Sequence, residues 1–219
     1  MVWLKKRWLS LATHAGSLTP LALLIWKFFN DQLTANPIQY VTFRTGKAAL
    51  VLLVLALACT PLNTLLGWKQ TIAVRRTLGL YAFFYATLHF LTFVGLDYQF
   101  DPTLLQEAIL KKRYALVGFA AFLTLLPLSL TSTKGWMRRL GKNWKRLHRL
   151  IYLTAVLVVI HFIWLVKSDI REPLAYGAVM LSLLTLRLAS VRKALVALRE
   201  KISPRREALR TAAIPKDWN

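Results

Sequence analysis

The sequence predicts an all-α, polytopic membrane bundle of six transmembrane helices with both termini on the cytoplasmic side. Three observations predict it. Of 219 residues, 56% are hydrophobic and 18% charged, whereas about a quarter are charged in an ordinary soluble domain. Thirty Lys and Arg stand against nine Asp and Glu, a formal charge of +21, and mean hydropathy is +0.45. Apolar blocks of about 17–25 residues alternate with basic clusters, the pattern of helices that cross a bilayer. A disordered basic chain would lack this apolar content. The length gives one compact bundle and no second large soluble domain. One cysteine, Cys59, excludes disulfides within the chain, thiolate zinc sites and CxxC redox chemistry.

The spans follow in order. The first is Leu9–Phe29, the second Lys47–Trp68 and the third Leu78–Leu96. The fourth is Tyr114–Leu130, the fifth Leu150–Val166 and the sixth Leu174–Leu188. Each approaches the ~20 residues that cover about 30 Å of hydrocarbon. Lipid cannot satisfy exposed backbone groups, so the spans are helices. Lys5, Lys6 and Arg7 before an apolar run resemble a signal peptide. No small-x-small cleavage site follows, and His14 interrupts the apolar stretch, so this reads as a retained first helix.

Orientation follows from the cations. The N-terminal stub, the 2–3 loop, the 4–5 loop and the tail from Arg187 hold 22 of the 30 Lys and Arg. The other side holds Lys27, Arg44, Lys47, Lys111, Lys112, Arg113, Lys167 and Arg171, with most of the acids. The positive-inside rule places both termini in the cytoplasm. The basic clusters flank spans, so they report topology and not nucleic-acid binding. The tail after Val191 is basic and helix-permissive up to Pro204. It either lies on the anionic inner leaflet or stays solvated. Trp3, Trp8, Trp68, Trp136 and Trp144 fall near the predicted interfaces and read as anchors.

Ionisable side chains within spans are costly and point to function. They are few: His89 in span 3, His161 in span 5, His148 where span 5 enters, and Arg75 and Arg76 where span 3 enters. His14 reads as structural. No Asp or Glu accompanies them within a span, which argues against ion-coupled transport. Histidines without carboxylates suit a large apolar macrocycle with axial imidazoles, that is, haem. No CxxCH is present, so such a haem is non-covalent, b-type.

Spans 3 and 5 run the same way across the membrane. His89 lies fourteen residues after Arg75 and His161 thirteen after His148, intervals of roughly 20 Å along a helix. Two layers result: His89 with His161 outside, and His148 facing the Arg75–Arg76 end of span 3 inside. Arg75, Leu78, Ala82 and His89 fall on one stripe, where Ala82 leaves room for a flat ring. Thirteen residues do not return to the same face, so His148 is expected in a distorted first turn.

Several stretches then carry a resemblance in their order and spacing. They are Thr45-Gly46-Lys47, Thr60-Pro61-Leu62, Arg75-Arg76-Thr77-Leu78-Gly79-Leu80 and Ala86-Thr87-Leu88-His89. Leu130-Thr131-Ser132-Thr133 and Gly141-Lys142-Asn143-Trp144-Lys145-Arg146-Leu147-His148 follow, then Tyr152 and His161. From His14 to about Val191 the chain resembles the MsrQ (YedZ) family. That family provides the haem-binding membrane subunit of the bacterial protein-methionine-sulfoxide reductase system, within the ferric-reductase-like transmembrane superfamily. The resemblance implies a transmembrane haem domain over 1–191 and a basic cytoplasmic tail over 192–219. It implies His89 and His161 as axial ligands of an outer haem b and His148 as a ligand of an inner one. Arg75 stands where many superfamily members have a fourth histidine. It either takes the inner haem's other face or neutralises a propionate.

The function so implied is electron transfer across the bacterial inner membrane. Electrons pass from a cytoplasmic flavin or flavin reductase to a periplasmic molybdopterin subunit, MsrP, which repairs oxidised methionine in proteins. FMN is also attributed to the family, and its phosphate would find cations at Arg138, Arg139, Lys142 and Lys145. No GxGxxG or Walker A motif is present. Two other readings stay open: a stand-alone ferric or quinone reductase of the same superfamily, and a scaffold or transporter with structural histidines.

Overall fold

The structure, a computed structural model, describes residues 2–166 and 169–202. Lys167 and residues 203–219 of the predicted tail lie outside the described residues. Among the described residues there are helices and no strands. The long helices are α1 (Val2–Phe29), α2 (Pro37–Leu66) and α3 (Lys69–Leu91). A short α4 (Pro102–Lys111) leads into α5 (Arg113–Leu130). Two more short helices, α6 (Lys134–Leu140) and α7 (Lys142–Leu147), precede α8 (Leu150–Leu165). The chain closes with α9 (Arg171–Thr185) and α10 (Ala189–Ile202).

Five of these segments are long and apolar enough to span a membrane, and α9 with α10 makes a sixth if a pair bent by 73° is one span. The predicted all-α membrane bundle is therefore present, with five or six candidate spans. Three of its helices, α1, α2 and α3, begin well before the predicted boundaries. Helix α2 starts at Pro37, because Asn36 caps it by accepting the Gln39 N–H and Pro37 needs no donor of its own. Helix α3 starts at Lys69, since Lys and Arg extend a helix through the interface without interrupting it. Beyond Leu91, α3 widens into a π-helical stretch over Thr92–Asp97. Such wide turns cluster at functional positions, and this one follows His89 directly.

Helices pair in sequence order. The most extensive contacts are α2 with α3 and α5 with α8. Leu50, Leu53, Leu57, Ala82, Tyr85, Ala155 and Met180 form the buried centre. Small residues bring backbones close where lipid offers no hydrophobic drive. Ala155 and Thr154 are fully buried on α8, and the Thr154 hydroxyl meets that of Thr124 on α5 at 2.7 Å. Helix α1 is joined differently. Pro20 interrupts its hydrogen-bond ladder. The Tyr85 hydroxyl enters the opened turn, donating to the Ser17 carbonyl at 2.7 Å and accepting the Leu21 N–H at 3.0 Å. The periphery exposes Leu11, Leu23, Trp26, Phe29, Leu123 and Leu181. An apolar rim of that kind suits lipid.

Candidate functional site

His89 lies near the end of α3 and His161 near the end of α8. Their ring centroids are 6.2 Å apart, with planes at 82°. Each ring uses Nδ1 in the same way. His89 Nδ1–H donates to the Thr42 carbonyl at 2.8 Å, and His161 Nδ1–H donates to the Tyr114 carbonyl at 2.7 Å. Both acceptors lie 47 residues upstream, in the early turns of the paired helix. A carbonyl on Nδ1 fixes the tautomer and leaves the lone pair on Nε2.

One turn beyond each acceptor stands a glycine. A Cβ at Gly46 would lie 3.0 Å from His89 Nδ1, and one at Gly118 would lie 2.6 Å from His161 Nδ1. The imidazoles therefore rest against bare backbone, an approach open only to glycine. The same carbonyl, glycine and imidazole arrangement occurs twice, once in α2–α3 and once in α5–α8. Beside it, Phe83 and Phe90 of α3 stack on Phe122 of α5 at 5.8 and 4.7 Å.

The spacing of the two rings has a chemical meaning. Metal–nitrogen bonds of about 2 Å, with about 1 Å from each Nε2 to its ring centre, put two axial imidazoles about 6 Å apart. His89 and His161 stand at that separation. Among the described residues no three His, Cys, Asp or Glu side chains gather as a protein-only metal site requires. A metal that arrives in its own macrocycle needs only the two axial ligands.

A second layer lies at the other end of the bundle. His148 closes α7, and the helix restarts at Leu150, so His148 occupies a break in the span. Its ring stacks on Trp144 at 3.9 Å, and its Nδ1–H donates to the Trp144 carbonyl at 3.1 Å. Its Nε2 is buried with no hydrogen-bond partner. A buried nitrogen of that kind invites a ligand. Trp144, expected as an interfacial anchor, shelves His148 and donates its indole N–H to the Thr131 carbonyl at 2.9 Å.

Arg75 is near this layer. It is exposed, and its Nη1 donates to Thr60 Oγ1 at 3.1 Å. Arg76 is exposed. Arg187, counted from sequence as one charge of the tail, turns inward at the α9–α10 bend. Its Nη2 donates to the Leu57 carbonyl at 2.6 Å and to Thr60 Oγ1 at 3.3 Å. Arg138, Arg139, Lys142 and Lys145 lie exposed on α6 and α7. His14 shares a hydrogen bond with the Tyr81 hydroxyl at 2.9 Å. A cavity of about 850 Å³ opens between α1, α2 and α3 and touches neither His89, His148, His161 nor Arg75.

Gly118 and Arg187 thus adjoin the candidate site without having been read as part of it, and Gly46 and Trp144 stood only within matching stretches. The signal in the chain is the equal offset of the two glycines from the two histidines.

The fold defines a multi-pass membrane protein in which two histidine rings from separate helices come together. Comparison with known sequences places it further. The chain belongs to the family described as ferric reductase like transmembrane component, whose profile matches residues 45–160, and within it to the MsrQ relatives. It is 52% identical over 177 residues to the protein-methionine-sulfoxide reductase heme-binding subunit MsrQ of Xanthomonas axonopodis pv. citri, covering 78% of this chain and 81% of that protein. The protein of the same name from Xanthomonas oryzae pv. oryzae is 47% identical over 209 residues, covering 93% and 91%. That from Herminiimonas arsenicoxydans is 43% identical over 175 residues, covering 78% and 80%. No solved structure matches the chain.

Proposed function

We propose that this chain is a transmembrane b-type cytochrome. It passes electrons across the bacterial inner membrane to a periplasmic methionine sulfoxide reductase of the MsrP molybdopterin type. One observation carries the reading: His89 and His161 stand at axial-ligand spacing with both Nδ1 atoms committed to carbonyls. Its support is the likeness to proteins named as heme-binding subunits of a protein-methionine-sulfoxide reductase.

His89 and His161 would hold the outer haem b, and His148, with Arg75 across from it, an inner one. Bound haem iron supplies a one-electron carrier, whose potential the protein tunes through ligands and nearby charge. The chain's own contribution is positional. The Thr42 and Tyr114 carbonyls orient the imidazoles and raise their basicity. Gly46 and Gly118 admit the rings to that position. The phenylalanine stack keeps water from the flank of the site. With both termini in the cytoplasm, His148 lies toward the electron source and the His89–His161 pair toward the periplasm. A cytoplasmic flavin reductase delivers the electrons, and an FMN phosphate would bind among Arg138, Arg139, Lys142 and Lys145. The chemistry on methionine sulfoxide belongs to the partner.

The test is spectroscopic. The purified protein, reduced with dithionite, is expected to show a Soret and an α band that an MsrP-type partner with methionine sulfoxide reoxidises. Equal reoxidation by a ferric chelate with no partner would favour a stand-alone reductase. A colourless protein would remove the reading altogether.

A further inference from the structure

The cavity between α1, α2 and α3 has a volume of about 850 Å³. That is the size of a ligand site and not of a packing flaw. Its walls are apolar over most of their depth: Ala12, Gly16 and Leu23 line it from α1, and Val51, Leu55 and Leu62 from α2. Tyr85 fastens α1 to α3, and residues as small as Ala12 and Gly16 leave the space toward α2 open.

The polar groups of the wall are already spent. Thr13, Thr19, Cys59 and Thr71 each donate to a backbone carbonyl. Ser17 Oγ has no partner, but it is shut within the packing, with the residue 2% exposed. The wall therefore offers contact to hydrocarbon and little to a polar head.

One end differs. Lys27, Tyr40, Arg44 and Lys47 lie together there. Lys27 Nζ stands 5.4 Å and the Arg44 guanidinium 5.1 Å from the Tyr40 ring centroid. Glu172 neutralises Lys47, whereas among the described residues no carboxylate pairs with Lys27 or Arg44. Two cations gathered at the mouth of an apolar cavity complement an anionic head on an apolar tail. Thr42, which holds His89, lies between Tyr40 and Arg44 on α2. The mouth is thus at the His89 end of the bundle, the level of the outer leaflet in the topology proposed above. From Lys27 to Ala12 the cavity follows α1 for about 22 Å, against about 15 Å for one leaflet of a ~30 Å core. An extended acyl chain fits below a headgroup held at the mouth.

We propose that this cavity binds an anionic phospholipid. Its phosphate meets Lys27, Arg44 and the Tyr40 hydroxyl, and one acyl chain lies between α1 and α2. The chain restores the van der Waals contacts that a void forfeits and fixes α1 against α2. A neutral isoprenoid quinone has no charge for the two cations and finds no free donor deeper in the wall. The inference is independent of the haem reading.

The experiment reads lipid bound per chain. Full-length protein purified in detergent is incubated with equimolar phosphatidylglycerol and phosphatidylcholine and weighed by native mass spectrometry. Circular dichroism reports that each variant is folded. Wild type is expected to retain phosphatidylglycerol in preference. The K27Q/R44Q double variant should reduce that preference by on the order of tenfold. A Cβ at Gly16 meets nothing within 4 Å, so Gly16→Leu extends into open space and favours the helix. It should lower retention of both lipids. Equal retention of the two lipids by wild type, or a preference unchanged in K27Q/R44Q, would overturn the headgroup site. Retention unchanged in Gly16→Leu would overturn the cavity as its place. Wild type carrying a quinone and no phospholipid, or no lipid at all, would overturn the whole proposal.

Discussion

Gly118 lies so close to His161 that an added Cβ would stand 2.6 Å from Nδ1 and 2.7 Å from Cε1. At Gly46 the matching distances to His89 are 3.0 and 3.1 Å. Neither ring can retreat without surrendering its carbonyl, at 2.7 Å for His161 and 2.8 Å for His89. Gly118→Ala is therefore expected to displace its imidazole and lower outer-haem content several-fold. Gly46→Ala, with the looser contact, should shift the spectrum while keeping more haem. Haem per chain and the α-band position check this. The reverse order of severity would contradict it.

Removing a ligand is more direct. His89→Ala or His161→Ala is expected to eliminate the outer haem and electron delivery to the periplasmic partner, with the protein still inserted. Pyridine haemochromogen assay and partner-dependent sulfoxide reduction measure both effects. Full haem and full activity in either variant would remove the assignment.

The inner layer should respond separately. His148→Ala is expected to cost haem or alter the low-temperature spectrum while sparing the outer-layer signal. Trp144→Leu takes away the ring stacked on His148 at 3.9 Å, and it should shift the same component in a redox titration. A titration identical to wild type in both variants would exclude an inner ligand at His148.

Tyr85 offers a test of stability apart from function. Its hydroxyl completes the turn that Pro20 opens in α1. Tyr85→Phe removes the donor to the buried Ser17 carbonyl and the acceptor of the part-buried Leu21 N–H, at a cost of about 1–3 kcal/mol. A lower unfolding temperature in detergent with an unchanged haem spectrum is the expected result. An unchanged unfolding temperature would show that α1 does not depend on this contact.

Much of this protein is legible in its residue order. A span needs only length and apolar composition, so the spanning helices α1, α2, α3, α5 and α8 follow from hydropathy. Intramembrane His89 and His161 stand out because imidazole is rare there, and their depth follows from rise per residue. Boundaries were less legible: α2 and α3 begin at Pro37 and Lys69 because caps and interfacial cations extend a helix beyond its apolar block.

What the tertiary structure alone decided is which groups meet. The Thr42 and Tyr114 carbonyls reach their histidines across 47 residues, and no local period records such a pairing. Gly118 is one small residue in an apolar helix until a ring is packed against it. Arg187 looks like a tail cation in sequence, and only the 73° bend after α9 turns it to Thr60. Composition and periodicity describe how each segment meets its solvent, whereas a site is made by distances between segments, and those are set when the helices pack.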